Sequence, residues 1–204
     1  MNNTSTIESH KDYIGAKMGM WLFLFTELLL FGGLFLIYAV YRYSYHGGFQ
    51  AGSGELSTIA GTVNTVILIT SSLTMAVSIS AIQRGNRKLC LAMLLATILF
   101  AAAFMVNKYF EWGAKIHHGI YPGSPELLSN DHGTVLFYGL YYVMTGLHGL
   151  HVLVGMVLLS IMFFLVYRGR IDSTDFVKLE NSGLYWHFVD LIWIFLFPLF
   201  YLIT

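Results

Sequence analysis

Five apolar runs, each long enough to cross a bilayer, constrain this chain more than any other feature; they fall at roughly 15–41, 61–83, 89–112, 134–166 and 181–203. A helix needs about 20 apolar residues to span a hydrocarbon core of about 30 Å. Inside that core a backbone N–H or C=O finds no water, so only helices and closed barrels cross it. Runs of this length without period-two alternation predict helices. Composition agrees, with 11% charged and 56% hydrophobic residues, whereas a soluble domain carries roughly 25% charge. The predicted fold class is an all-α integral membrane protein, one transmembrane domain over 1–204 with five helices in a single bundle. The first run is too long for a signal-peptide core of about 7–15 residues, so it reads as a retained span.

The connections "YHGGFQAGSGE" at 45–55, "QRGNRK" at 83–88, "HHGIYPGSPELLSNDHG" at 117–133 and "RGRIDSTDF" at 168–176 read as turns from their glycine, proline, serine and charge. None is long enough to fold as a second domain, and no internal repeat is visible. Lys11, Lys17, Arg84, Arg87, Lys88, Arg168, Arg170 and Lys178 fall on one side of the predicted topology, and Arg42, Lys108 and Lys115 on the other. The positive-inside rule then puts the N-terminus in the cytoplasm and the C-terminus outside. Formal net charge is zero. With no basic block, Walker-type loop or zinc-finger spacing, nothing points to nucleic acid or nucleotide. The single cysteine, Cys90, excludes an internal disulfide and a paired-thiolate metal site.

Polar residues within the spans are costly and mark function or helix contacts. Glu27 stands half-way along the first helix, with Lys17 ten residues before it and Arg42 fifteen after. With no cation within a turn, its neutral form is the expected one. "TGLHGLHVLVG" at 145–155 puts His148 and His151 on one face, one turn apart, and "WHFVD" at 186–190 does the same for His187 and Asp190. Histidines of this kind bond to neighbouring helices or ligate a metal; Gly146, Gly149 and Gly155 favour close packing and the first reading. Asp190 is expected to partner His187 or a histidine of the fourth helix, fixing its tautomer. Together these residues read as a polar packing network. Lys108 and Glu111, at i,i+3 near the outer end of the third helix, read either as an interfacial ion pair beside Trp112 or as a functional cluster. A b-type haem held between His187 and His148 or His151 is the sharper alternative, opposed by an offset in depth of several ångströms at about 1.5 Å per residue. A proton or ion carrier using Glu27 is another. His117, His118, His132 and Asp131 read as solvated loop.

"GLHGLHVLVG", followed some thirty residues later by "YWHFVDLIWIFLFPLFYL", resembles the signature of subunit III of the haem–copper terminal oxidases. "GMWLFLFTELLLFGGLF" is similar to that family's segment around a membrane-buried, carbodiimide-reactive carboxylate, matching Glu27, and "NTVILITSSLTMAVSISAIQRGNRK" resembles its next helix and basic turn. The resemblance covers nearly the whole chain and is to the five-helix type. It implies a non-catalytic subunit of a proton-pumping respiratory oxidase that reduces O2 to water and takes electrons from cytochrome c or quinol. It further implies haems and copper in partner subunits and none in this chain, bound phospholipid in a cleft between helices, and partners in subunit I, subunit II and a small subunit IV. One departure is Lys108, where the family commonly has an acidic or polar residue. Arg84, Arg87, Lys88, Arg168 and Arg170 read as lipid headgroup candidates or as simple topology determinants. The accessory protein of nitric oxide reductase systems is an alternative within the fold; a small haem- or quinone-binding membrane protein is one outside it. The census of residues points the same way as the resemblance, because three membrane-depth histidines and one cysteine supply neither a haem–copper centre nor a dicopper site.

Overall fold

The structure, a computed structural model, describes residues 13–203. Lys11, used above to orient the chain, lies outside the described residues. Among those described, every regular element is a helix: α1 (Tyr13–Ser44), α2 (His46–Gly54), α3 (Thr58–Gln83), α4 (Arg87–His117), α5 (Pro125–Leu128), α6 (His132–Tyr167) and α7 (Val177–Tyr201). Five of them, α1, α3, α4, α6 and α7, are long and apolar enough to cross a membrane. The five-span expectation therefore holds, with α1, α4 and α6 running past both ends of their apolar runs.

The helix ends are local sequence effects. Ser57, Asn86, Ser124 and Asp131 each accept a bond from the backbone N–H three residues on, satisfying a donor that the first turn leaves free. At the far ends of α3, α4 and α6, Gly85, Gly119 and Gly169 take φ values of 73°, 72° and 72°, the left-handed turn that stops a helix. The segment 45–55, read above as a turn, is instead mostly helix α2. Its glycines serve close packing. A Cβ on Gly48 would lie 2.6 Å from the backbone of Gly133, and one on Gly52 would run into the ring of Phe137, so α2 lies flat on α6.

Helices α3, α4, α6 and α7 form a ring in which each packs on the next and α7 closes on α3. The backbones of the diagonal pairs, α3 with α6 and α4 with α7, stay apart, and side chains meet across the centre. Phe104, His148 and Trp193 fill the centre, the Phe104 and Trp193 rings meeting edge to face at 4.9 Å. Helix α1 lies outside the ring against α6 and α7. Its most apolar window is 11% buried, against 56% for α7, which makes α7 the central helix and α1 the peripheral one. The α3–α4 turn and the α6–α7 loop share one end, where Arg87 bonds the Tyr167 carbonyl and Lys17 pairs with Glu180 at 2.7 Å.

Asp131 caps α6 with its side chain on the Thr134 N–H at 3.1 Å and hydroxyl at 2.6 Å. These bonds hold its carboxyl below the ordinary carboxylate range. The stabilisation is therefore present above the unfolded-state value and lost as pH falls through the depressed folded one. The protection factor of the Thr134 N–H, taken relative to its intrinsic exchange rate at each pH, should fall on acidification and in Asp131→Ala, at a cost of about 1 kcal/mol, but little in Asp131→Asn. Equal protection in all three proteins would refute the cap. Gly155 tests the packing: a Cβ there would sit 2.8 Å from the Trp186 ring, whereas one on Gly149 meets nothing. Gly155→Val should lower the thermal transition in detergent by the equivalent of about 1–3 kcal/mol, with Gly149→Val near neutral.

Candidate functional site

Polar groups at membrane depth fall into three sites. In the first, α6 brings His151 to Glu27 of α1. The His151 Nδ1 lies 2.8 Å from the Leu147 carbonyl, which only accepts, so Nδ1 carries the proton. Nε2 then faces Glu27 Oε2 at 3.0 Å. A neutral acid donating to imidazole and an imidazolium donating to carboxylate fit this geometry equally, so the pair shares one proton that can sit on either atom. Phe31 contacts the imidazole edge-on at 5.3 Å, and the Tyr185 hydroxyl bonds the His151 carbonyl at 3.0 Å. The side chains are 13% and 17% exposed, at the edge of the α1–α6 contact. Sequence spacing left Glu27 without a partner because its partner is 124 residues away.

The second site lies toward the α2 end of the ring. Lys108 is 6% exposed and its ammonium meets three acceptors: Glu111 at 3.2 Å, the Tyr141 hydroxyl at 3.3 Å and the Tyr201 hydroxyl at 2.7 Å. Both tyrosines donate in turn to Glu111 Oε1. The Trp193 ring lies 5.1 Å below the ammonium. Every donor of the ammonium is thus used, which is the condition for burying it. This corrects the interfacial reading: the pair is enclosed by α6 and α7 and does not sit at the surface beside Trp112. A neighbouring chain of bonds ties α2 in, with Tyr138 donating to Glu55 at 2.6 Å and Lys115 bonding the Glu55 carbonyl at 2.7 Å.

The third site is the His187 and Asp190 pair on α7. The expected bond between them, or from Asp190 to an α6 histidine, is not formed. His187 Nδ1 instead meets the Ser72 hydroxyl of α3 at 2.7 Å. Asp190 is 3% exposed, with the Ser72 hydroxyl as its polar neighbour and no hydrogen bond of full geometry to either carboxyl oxygen. His148, expected to bond a neighbouring helix, is fully buried with both ring nitrogens unbonded, held by Phe104 and Trp193. The sequence reading missed Ser72, Tyr141 and Tyr201. For Ser72 a signal existed in the hydroxyl-rich run "ITSSLTMAVSIS" at 69–80.

Arg84, Arg87, Lys88, Arg168 and Arg170 are exposed together at one end; Arg87 caps α6 and Arg168 lies 4.6 Å over the Phe164 ring. The loop histidines His117 and His118 contact each other, and His132 packs edge-on against Tyr45 at 5.5 Å. Among the described residues no three His, Cys, Asp or Glu side chains converge as a metal-holding group.

Residues 3–204 match the family described as cytochrome c oxidase subunit III. The chain belongs to that family. It is 31% identical to cytochrome bo(3) ubiquinol oxidase subunit 3 of Pseudomonas putida, over 91% of this chain and 84% of that protein. It is 34% identical to cytochrome c oxidase subunit 3 of a Synechocystis species, over all of this chain and 84% of that one. A heme-copper oxidase subunit I+III of Aeropyrum pernix is 29% identical over 95% of this chain and 23% of its own length. The expected resemblance therefore holds: this is a membrane-embedded subunit III of the haem–copper oxidases, part of an oxidase complex of the respiratory chain.

The buried ion pair makes a test. Lys108→Met leaves Glu111 enclosed without its cation and should cost about 3–5 kcal/mol, and Lys108→Met/Glu111→Gln should recover much of it. Urea-dependent unfolding in detergent measures both. A double variant no more stable than Lys108→Met would show that the two side chains act independently.

Proposed function

We propose that this subunit is non-catalytic and serves a proton-pumping oxidase that reduces O2 to water, with haems and copper carried by partner subunits I and II and a small subunit IV completing the complex. The observation that carries this reading is how the membrane-depth histidines are committed. His151 is bound to Glu27, His187 to Ser72, and His148 is sealed between Phe104 and Trp193. An axial haem pair needs two histidines aimed at one iron, and three histidines held by three different neighbours do not offer it. We read the membrane as the bacterial inner membrane, with the basic end cytoplasmic, because seven of the described Lys and Arg residues (Lys17, Arg84, Arg87, Lys88, Arg168, Arg170 and Lys178) lie on that side. There they form a headgroup site for anionic phospholipid, each contributing about 1 kcal/mol. The electron donor is read as cytochrome c, in keeping with the family name. Quinol is the second reading, favoured by the name of the Pseudomonas relative.

In this reading Glu27 supports the partner's proton uptake indirectly. Its bond to His151 is the mid-membrane polar tie between peripheral α1 and the ring, with Lys17 on Glu180 toward one end and Tyr38 on the Leu199 carbonyl toward the other, so it helps to hold the helix and the lipid beside it in place. Glu27→Gln should abolish labelling by a hydrophobic carbodiimide and leave most initial turnover of the assembled oxidase intact, with faster inactivation during sustained catalysis. Immediate loss of proton pumping in an intact complex would make Glu27 a relay and overturn this role. A pyridine haemochrome assay on the isolated subunit tests the wider claim, since stoichiometric haem would contradict it. Replacing Arg168 and Arg170 with glutamine should lower the bound-lipid count in native mass spectra.

A further inference from the structure

Helix α7 is covered by α3 on one flank and α1 on the other, but the backbones of α1 and α3 stay apart. Between them a groove runs along α7. At the basic end it is lined by Lys17, Trp21, Ile79, Glu180 and Leu184. His187 joins that stretch to a cavity of about 370 Å³ at mid-helix, walled by Ile69, Ser72, Leu73 and Ala76 of α3 and by Asp190 and Leu191 of α7. Ser72 and Asp190 both lie near the middle of their helices, so the cavity opens at the hydrocarbon centre.

Two independent observations meet there. Ser72 and Ala76 are small residues four apart on one wall, a spacing that lets another helix approach closely. Asp190 lines the same space, 97% buried by its 3% exposure, with no hydrogen bond of full geometry to either carboxyl oxygen. Ser72, which also meets His187, is the one hydroxyl beside it and can serve one carboxyl oxygen at most, leaving the other without a donor. An acyl chain fills an apolar groove but brings no donor to the bilayer centre, so it leaves the carboxyl as it is. A helix with a donor side chain at mid-depth satisfies it and closes over Ser72 and Ala76.

We propose that the α3–α7 groove is the intramembrane docking seam of this subunit, and that its occupant is a transmembrane helix of another oxidase subunit that donates a hydrogen bond to Asp190. The inference rests on the reading of the chain as one subunit of an oxidase complex. It assigns Ser72, Ala76 and Asp190 a role in assembly. His187, bonded to Ser72, positions the hydroxyl at the mouth.

Photo-crosslinking in native membranes with co-expressed oxidase subunits tests it. A benzophenone amino acid is placed at Leu73 or Leu191, 63% and 45% exposed on the two rims, with Leu36 of α1, 71% exposed, as control. Adducts to another oxidase subunit are expected from Leu73 and Leu191 and not from Leu36. Asp190→Leu should reduce co-purified partner subunits about tenfold, the equivalent of one buried intramembrane hydrogen bond with its packing, while Asp190→Asn retains most of them. Adducts to lipid alone, or to a second copy of this chain, at both rims would overturn the seam. Partner subunits that co-purify but crosslink only through Leu36 would overturn it too and leave the oxidase reading intact. Failure of any subunit to co-purify with the unaltered chain would overturn both.

Discussion

Two indole N–H bonds hold the central helix of this protein. Trp186 donates to the Ser71 hydroxyl at 3.1 Å and Trp193 to the Thr65 hydroxyl at 3.0 Å. Each hydroxyl donates in turn to a carbonyl of its own helix, Ser71 to Leu68 and Thr65 to Gly61. In hydrocarbon an indole N–H without an acceptor costs several kcal/mol. The two bonds therefore fix both the depth and the rotation of α7 against α3, since a slip of one residue breaks both. From that registration the rest follows. With Trp186 placed, its ring occupies the space left by Gly155 of α6; with Trp193 placed, its ring forms the floor under Lys108.

Interior polarity in this bundle is arranged by depth. Toward the α2 end it is ionic and fully bonded, in the Lys108, Glu111, Tyr141 and Tyr201 cluster. At the centre of the ring it is apolar, and the one imidazole there, His148, makes ring contacts in place of hydrogen bonds. At the outer faces of the ring it is paired across helices, Glu27 with His151 on one side and Ser72 with His187 on the other. The bonds within the ring set which helices are neighbours, and those on its flanks decide what can be added to it. Asn107 of α4 bonding Asn64 of α3 at 2.7 Å and Thr74 of α3 meeting Thr97 of α4 at 2.8 Å complete the first set.

How much of this the sequence displays depends on the range of each interaction. Spans, caps and terminating glycines are local, and their residues announce them. The glycines at 47–54 mislead because glycine serves two purposes: it frees a turn, and it lets a backbone approach another surface. Only the partner, Gly133 and Phe137 of α6, reveals which. The polar pairs fail for a related reason. Two residues at i,i+3 share a helix face, which shows that they look in one direction without showing at what. His187 and Asp190 share a face and both look toward α3 and the groove beside it. Glu27 and His151, on helices with no sequence signal linking them, are the pair that forms. Lys108 and Glu111 alone are both neighbours and partners, and even there the two tyrosines that make burial affordable come from α6 and α7.

This distinction bears on why a histidine and a carboxylate stand together in so apolar a segment as 183–202. If they served α7's packing within the subunit, each would be bonded to a neighbour inside the ring, as Trp186 and Trp193 are. His187 reaches only to the rim, at Ser72, and Asp190 is buried beside it with no hydrogen bond of full geometry to its oxygens. Unlike His148, whose unbonded imidazole is packed between Phe104 and Trp193 inside the ring, Asp190 lies at the wall of the α3–α7 cavity, and on that difference the proposed docking seam rests. The tryptophans of this segment thus build the subunit, and the histidine and aspartate between them line the groove between α3 and α7.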